Sequence, residues 1–181
     1  HSHEAAAAGA RGRAPGPRLD RPRITRVLRE AIRQRCTLIM ADAGWGKTCA
    51  LAQLRNLELP LVWYSLDGSD NDPAILAAHL LEGFDGALSG LAGRVRDTGT
   101  GDPEAVVAQL ANALLERGNP EVILAFDDMH HLAGRSGGAR LFRELLDRLP
   151  SGVRVAASSR RLPPWPLARI KAAGGLNVIH W

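Results

Sequence analysis

The sequence has few aromatic residues and no long apolar run. Phenylalanine, tryptophan and tyrosine together make up 4% of the 181 residues, so a surface on which the bases of single-stranded nucleic acid stack is not expected. No apolar stretch approaches the roughly 20 residues of a membrane-spanning helix. The alanine run at residues 5–8 is too short for the core of a signal peptide. We therefore expect a cytoplasmic protein that makes no contact with a membrane.

Cysteine is also scarce. Cys36 and Cys49 are the two cysteines of the sequence, and they form neither a disulfide framework nor the spacing of a metal site. Each lies beside apolar residues, so both are expected to be buried free thiols in a reducing compartment. The proportions of hydrophobic residues (45%) and charged residues (23%) are typical of a single globular domain.

Basic residues are concentrated at one end of the chain. Residues 1–35 contain nine arginines and three acids, an excess of six positive charges, and since the whole chain carries +4 the remainder sums to −2. The body of the protein is therefore not a basic nucleic-acid surface, and no direct DNA contact is expected from it. The arginine-rich head either contacts phosphates or, as charge runs more commonly do, forms a solvated arm and helix face.

The chain divides into a short arm and one predicted domain. Alanine, glycine, proline and arginine dominate residues 1–20, which are expected to be a disordered arm or an expression remnant. Residues 21–181 show the apolar patterns of helices and strands and are expected to form the domain. The predicted helices are 25–34, 47–56, 73–84, 103–117, 138–149 and 166–173; the predicted strands are 37–41, 61–66, 121–127, 153–158 and 176–179. Residues 85–103 are expected to be an irregular loop, and the end of the chain directly after a strand suggests a domain cut from a longer protein.

A phosphate-binding loop is predicted at residues 41–48, which read Ala-Asp-Ala-Gly-Trp-Gly-Lys-Thr. The segment follows a predicted strand and opens a predicted helix, which is the context such a loop requires. Backbone N–H groups of this loop surround the β-phosphate, and the helix N-terminus adds a partial positive charge. Lys47 is expected to bridge the β- and γ-phosphates, and the Thr48 hydroxyl is expected to bind Mg²⁺.

The loop departs from the usual pattern at its first position, where Ala41 replaces a glycine. A small residue is sufficient at the end of the strand, so we still expect ATP or ADP to bind here. A chance Gly-Lys-Thr in a loop is the alternative, and the flanking strand and helix argue against it. The residues of this segment expected to bind the nucleotide are Ala41, Asp42, Ala43, Gly44, Trp45, Gly46, Lys47, Thr48 and Cys49.

Two acids end the apolar strand at residues 121–127. Asp127 is expected to hold Mg²⁺, mostly through water, and Asp128 to polarise the attacking water. A second acid in this place is typical of nucleotide-binding proteins that insert a strand between the phosphate-loop strand and the acidic strand. Since strands and helices alternate, we predict a three-layer α/β P-loop fold. Its five-stranded parallel sheet has the order 5-1-4-3-2 and helices on both faces.

Other polar residues near these motifs allow two interpretations each. Arg160 follows the fourth strand and either senses the γ-phosphate or is a surface charge. Asp67 either faces the site or caps a turn. His130 either makes a hydrogen bond near the γ-phosphate or packs. Trp45 is either a lid over the loop or a packing residue.

Several segments together resemble one protein family. They are Arg21-Pro-Arg-Ile-Thr-Arg-Val-Leu, Ala43-Gly-Trp-Gly-Lys-Thr, Trp63-Tyr-Ser-Leu-Asp, Asp70-Asn-Asp-Pro, Asp127-Asp-Met-His, Ala157-Ser-Ser-Arg and Leu162-Pro-Pro-Trp-Pro-Leu-Ala-Arg. In this order they resemble the nucleotide-binding, NACHT-like domain of the MalT-type large ATP-binding regulators. These belong to the LuxR family and to the STAND class of P-loop ATPases. The resemblance runs from about residue 21 to residue 179.

The resemblance implies a switch that is inactive with ADP and self-associates with ATP and an inducer, and slow hydrolysis resets it. It further implies that Pro22 and Arg23 contact the adenine side and that Arg160 senses the γ-phosphate. Its implied partners are the arm, sensor and DNA-binding domains of a parent chain. The alternative is an autonomous P-loop ATPase or a small-molecule kinase, which rapid turnover or phosphate transfer would indicate.

Overall fold

The computed structural model describes residues 14–15, 20–96, 101–163 and 165–180. Most of the predicted arm at residues 1–20 therefore lies outside the described residues, as does the C-terminal Trp181. Within the described part of the chain, no helix combines the length and the apolar character that crossing a membrane requires.

A five-stranded parallel sheet forms the centre of the fold. Its strands are β1 (Cys36–Met40), β2 (Leu61–Ser65), β3 (Val122–Asp127), β4 (Val153–Ser159) and β5 (Leu176–His180). The order is β2-β3-β4-β1-β5, with all four pairings parallel. Read from the other edge, this is the 5-1-4-3-2 order predicted from the sequence, with β4 between the phosphate-loop strand and the acidic strand.

Seven α-helices of the described chain surround the sheet. They are α1 (Pro22–Ala31), α2 (Lys47–Leu51), α3 (Pro73–Ala87), α4 (Leu91–Arg96), α5 (Pro103–Glu116), α6 (Gly137–Arg148) and α7 (Leu167–Ala172). Helix α2 continues as a 3-10 helix over Ala52–Leu57, and shorter 3-10 turns cover Gly68–Asn71 and Met129–His131. Side chains cap three helix starts: Asp72 accepts from the Ala74 amide, Asp102 from Ala105 and Ser136 from Ala139, which satisfies backbone donors that the helix leaves free.

The two faces of the sheet are covered by separate apolar clusters. One cluster joins the sheet to helices α3–α6 and includes Tyr64, Phe84, Phe126 and Phe142. The other joins it to α1, α2 and the following 3-10 helix and includes Leu28 and Trp63. Strand β3 is buried along its whole length, as expected of a parallel strand covered on both sides. The prediction of helices on both faces is therefore confirmed.

The structure departs from the predicted elements most clearly in three places. Helix α1 begins at Pro22 rather than near residue 25, because proline fits the first helical position and needs no hydrogen-bonded N–H there. The helix predicted over 47–56 turns into a 3-10 helix after Leu51. The predicted loop over 85–103 contains helix α4, since its residues Leu91, Ala92 and Val95 share one face and are buried.

Candidate functional site

The phosphate loop lies at the carboxyl end of β1, where the ends of β3 and β4 also meet. Gly44 and Gly46 adopt left-handed backbone conformations with φ of 83° and 74°, which favour glycine over residues that carry a Cβ. A Cβ added at either position would find no atom within 4 Å. The two glycines therefore border open space, and the loop backbone is accessible from that side.

Lys47 and Thr48 open helix α2 at the end of the loop. The Lys47 side chain is 7% exposed, and its Nζ donates to the Asp42 carbonyl oxygen at 2.6 Å. Its ammonium group is therefore hydrogen-bonded to the backbone of the phosphate loop itself. The Thr48 hydroxyl donates to Asp127 Oδ2 at 2.7 Å. The phosphate loop and the acidic strand, 79 residues apart in sequence, thus meet through the two residues predicted to bind Mg²⁺.

Ser158 on the intervening strand β4 completes this polar cluster. Its hydroxyl donates to Asp127 Oδ1 and accepts from the Asp128 backbone N–H at 3.0 Å. Both acids at the end of β3 are therefore held by one buried serine. Sequence reasoning singled out the segment containing Ser158 only for Arg160. The signal that identifies Ser158 is a polar residue at the end of an apolar central strand.

Burial makes the charged form of Asp127 costly. The side chain is 4% exposed, and desolvation raises the pKa of its carboxyl above the usual value even though Ser158 and Thr48 donate hydrogen bonds that lower it. The negative charge of Asp128 raises the pKa of Asp127 further. A divalent cation at this carboxylate would offset the cost, because an adjacent positive charge favours the ionised form.

We expect Asp127→Asn to raise the melting temperature of the metal-free protein at pH 7 by a few degrees. In the wild type the folded-state pKa of Asp127 exceeds the unfolded value, so the folded protein binds more protons. Its stability consequently falls as pH rises from the unfolded pKa through the folded pKa. The amide carries no charge, and it retains both hydrogen bonds when its oxygen accepts from Ser158 and its NH2 group donates to the Thr48 hydroxyl.

Thermal unfolding from pH 4 to pH 8, with and without Mg²⁺ and ADP, tests this expectation. The advantage of Asp127→Asn in metal-free buffer should shrink towards pH 4, and the variant should gain less than the wild type from added Mg²⁺–ADP. A variant that is less stable than the wild type at every pH in metal-free buffer would contradict it.

Asp128 occupies an unusual backbone position next to His130. Its φ is 57°, and its side chain is 37% exposed, so one carboxylate remains accessible beside the buried Asp127. His130 Nδ1 lies 3.8 Å from Asp128 Oδ1 and is a buried polar atom with no hydrogen-bond partner. Burial lowers the pKa of His130, against the opposing effect of the Asp128 charge.

Arg160 belongs to the same electrostatic environment. It is exposed at the end of β4, and its charge and that of Lys47 both lower the pKa of His130. The neighbouring Arg161 donates from its guanidinium to the His130 carbonyl oxygen at 3.5 Å. Arg160 therefore lies near enough to His130 for its charge to act on that ring, and the two interpretations of its role remain open.

The predicted adenine side lies at the start of α1. Pro22 occupies the first turn of that helix, and Arg23 lines a groove of about 410 Å³ together with residues of α1 and β5. Gln53 connects this region to the helix after the phosphate loop, since its Oε1 accepts from the Arg21 backbone N–H at 3.1 Å and its Nε2 donates to the Cys49 carbonyl oxygen at 3.3 Å. Sequence reasoning did not identify Gln53, because a glutamine within a helix carries no motif.

The remaining predicted residues are placed as follows. Trp45 is 64% exposed, so it is not a packing residue, and the lid remains a prediction. Asp67 caps a turn, with its Oδ1 accepting from the Ser69 backbone N–H at 2.8 Å. Cys36 is buried, and burial raises the pKa of its thiol to about 11. The expectation that both cysteines are buried is wrong for Cys49, which is partly exposed on α2.

Within the described residues, no group of three His, Cys, Asp or Glu side chains could hold a metal ion. A Mg²⁺ ion that is coordinated mainly by phosphates and water needs only one or two protein ligands. Thr48 and Asp127 supply one oxygen ligand each, and their side chains already lie within hydrogen-bonding distance of one another. The residues present therefore fit a magnesium nucleotide.

Comparisons with known proteins agree with this geometry. A family model described as an AAA domain matches residues 31–161. The HTH-type transcriptional regulator MalT of Yersinia enterocolitica is 32% identical over 155 residues, and MalT of Serratia proteamaculans is 30% identical over 155 residues. Each alignment covers 83% of this chain and 17% of the regulator, so the chain spans a small part of these relatives. The resemblance to MalT-type regulators inferred from the motifs is confirmed.

A solved structure shares the fold at lower identity. The Aeropyrum pernix ORC1 protein, determined in complex with DNA, superimposes with a TM-score of 0.52 and 18% identity, covering 92% of this chain and 46% of that one. At this identity the similarity concerns the fold alone.

Proposed function

The chain belongs to the AAA domain family, and from that premise we propose that it is an ATP- and ADP-binding switch domain with slow, Mg²⁺-dependent ATP hydrolysis. The observation that carries the proposal is the hydrogen bond of 2.7 Å between the Thr48 hydroxyl and Asp127. It joins the two segments that must cooperate to bind a magnesium nucleotide, and the buried Lys47 ammonium lies at the same loop.

Each polar residue of the site has a separate task in this proposal. Lys47 exchanges the Asp42 carbonyl for the phosphates, which offer a stronger charge-assisted hydrogen bond. Thr48 and Asp127 are the residues that would hold Mg²⁺. When bound, the ion neutralises charge on the β- and γ-phosphates.

Asp128 is the residue that acts in the hydrolytic step. Asp128 is the more exposed carboxylate of the pair, so it is the group that orients the attacking water and accepts its proton. Arg160 is the candidate sensor; its exposed position after β4 and the effect of its charge on His130 support this role. A change in its contacts would distinguish ATP from ADP.

A switch requires that the two nucleotides differ in affinity for two states of the protein, because a ligand shifts an equilibrium only by that difference. The proposal of a switch rests on the similarity to MalT, an HTH-type transcriptional regulator. Further domains of a parent chain, with sensor and DNA-binding functions, and self-association in the presence of ATP are parts of the same proposal.

The experiment that tests the proposal measures nucleotide affinity, the rate of hydrolysis and self-association. Calorimetry with Mg²⁺–ADP and with a non-hydrolysable ATP analogue measures both affinities, and single-turnover hydrolysis measures the rate. We expect binding of both nucleotides and turnover well below about 1 s⁻¹, at the low end of enzyme rates. Sedimentation in each nucleotide reports self-association.

Two outcomes would favour the alternatives instead. Rapid steady-state hydrolysis by a protein whose sedimentation shows no self-association would indicate an autonomous ATPase. Transfer of the γ-phosphate to a small acceptor would indicate a kinase. Absence of binding to either nucleotide would overturn the proposal as a whole.

A further inference from the structure

One side chain joins the segment after the acid pair to the loop after β2. Asn71, the last residue of the 3-10 turn Gly68–Asn71, donates from Nδ2 to the His131 carbonyl oxygen at 3.0 Å and to the Gly68 carbonyl oxygen at 3.0 Å. Its Oδ1 accepts from the Ala133 backbone N–H at 2.8 Å. The amide thus uses both its donor and acceptor groups, and two of its partners lie about 60 residues away in sequence.

The turn that carries Asn71 is itself rigidly held. Asp67 and Asp70 form a reciprocal cap, in which the Asp67 backbone N–H donates to Asp70 Oδ2 at 2.8 Å. Asp70 is fully buried and accepts a hydrogen bond from the Tyr64 hydroxyl. A Cβ at Gly138 would clash with the Asp70 carbonyl oxygen, so helix α6 begins in direct contact with this turn. The backbone of Asn71 is therefore held in place by the contacts of this turn.

The segment that Asn71 holds begins at the accessible acid. The His131 backbone N–H donates to the Asp128 carbonyl oxygen at 3.0 Å, and Asp128 has the left-handed φ of 57°. His130 lies between these two residues, with its Nδ1 3.8 Å from the Asp128 carboxylate. A constraint on His131 and Ala133 is therefore a constraint on the short 3-10 turn that determines where Asp128 and His130 point.

We propose that Asn71 is a positioning residue for ATP hydrolysis: it fixes the segment 128–133 so that Asp128 and His130 face the γ-phosphate. The proposal rests on the proposed hydrolysis. Asn71 makes none of its three hydrogen bonds to the phosphate loop, so its loss affects the rate of the chemical step and leaves the affinity for ADP unchanged. It also means that the Asp70-Asn71-Asp72-Pro73 segment, prominent in the sequence, serves the site from outside it.

Two substitutions separate this role from a general effect on the fold. Asn71→Asp keeps the size and the acceptor but loses both donations, and Asn71→Ala loses all three hydrogen bonds without adding charge. Both variants should lower kcat for ATP hydrolysis by roughly 10- to 100-fold, the scale of a small misplacement of catalytic groups. The Kd for Mg²⁺–ADP should stay within about twofold of the wild type, since uniform binding and the chemical step are separable.

The matched control is Asn119→Asp. Asn119 also bridges two loops through its side chain, donating to Ser151 Oγ at 3.0 Å and accepting from the Gly152 backbone N–H at 2.8 Å. These loops precede β3 and β4, at the end of the sheet opposite the phosphate loop. Its φ of 53° is one that aspartate tolerates. Asn119→Asp should leave kcat and the ADP affinity within about twofold of the wild type.

Amide hydrogen exchange supplies a readout that does not require hydrolysis. In Asn71→Ala the Ala133 amide loses its acceptor, so exchange over residues 131–133 should accelerate by roughly five- to tenfold, while exchange in β1 and β4 stays unchanged. Unaltered kcat in both Asn71 variants, an equal loss of kcat and ADP affinity, or an equal effect of Asn119→Asp would overturn the positioning role. If the wild type binds no nucleotide, the proposed function is wrong, and exchange alone decides whether Asn71 holds the segment.

Discussion

Asn in place of Asp128 is expected to leave nucleotide binding intact and to lower the rate of ATP hydrolysis by roughly 100- to 10,000-fold, the contribution typical of a general base. Asparagine is the suitable substitution because the backbone at this position has a φ of 57°, which asparagine adopts more readily than alanine does. The side chain remains similar in size and loses only the charge and the ability to accept a proton.

Single-turnover hydrolysis of ATP together with calorimetry of Mg²⁺–ADP measures both effects of Asp128→Asn. Asp147→Asn is the matched control, since Asp147 is also partly exposed and pairs with Arg169 on the protein surface. We expect that control to retain the wild-type rate. Loss of ADP binding along with hydrolysis in Asp128→Asn, with an unchanged melting temperature, would reassign Asp128 to the metal.

The second large effect is expected at Lys47. Lys47→Ala should weaken binding of Mg²⁺–ADP and of ATP by about 100-fold or more, because removal of one partner of a buried, hydrogen-bonded charge pair costs several kcal/mol. The same change also removes the donor to the Asp42 carbonyl oxygen, which in the nucleotide-free protein is a contact within the loop.

Lys171→Ala provides the control for Lys47→Ala. Lys171 is the other lysine of the chain, and it is exposed on α7. Calorimetry should give the wild-type Kd for Lys171→Ala and no measurable binding, or very weak binding, for Lys47→Ala. Equal affinities in the two variants would rule out a role of Lys47 on the phosphates.

The sequence predicts the sheet and the phosphate loop well because their signals are local. The strand at residues 36–40, the two glycines and the Lys-Thr pair are contiguous, and their order along the chain implies their arrangement in space. The acid pair after β3 is similarly local. Its second acid also predicts the inserted strand, and β4 does lie between β1 and β3.

Contacts between distant segments carry no such signal. Ser158 meets Asp127 across 31 residues, and Asn71 meets Ala133 across 62 residues, so neither pairing follows from spacing. Asp67 had two interpretations from the sequence, and its turn-capping role required the observed hydrogen bond to Ser69. The unusual φ of Asp128 is likewise a product of the packed structure, since nothing in its neighbouring residues requires it.

The prediction of an irregular loop over residues 85–103 failed at helix α4 for a different reason. Glycines at 86, 90 and 93 suggested an irregular segment, and Gly90 does adopt a φ of 83°. The chain nevertheless buries Leu91 completely and Val95 almost completely, because packing against α5 stabilises a short helix despite its poor local propensity. Tertiary contacts determined this element, and propensity did not.

The central claim is that the backbone of residues 43–48 surrounds the phosphates of an adenine nucleotide. Titration of isotopically labelled protein with Mg²⁺–ADP, followed through the backbone amide resonances, measures this directly. We predict that the amides of residues 43–48 shift most and that Lys47→Ala abolishes the shifts. Saturable binding that leaves these amides unchanged, or the absence of any binding, would contradict the claim.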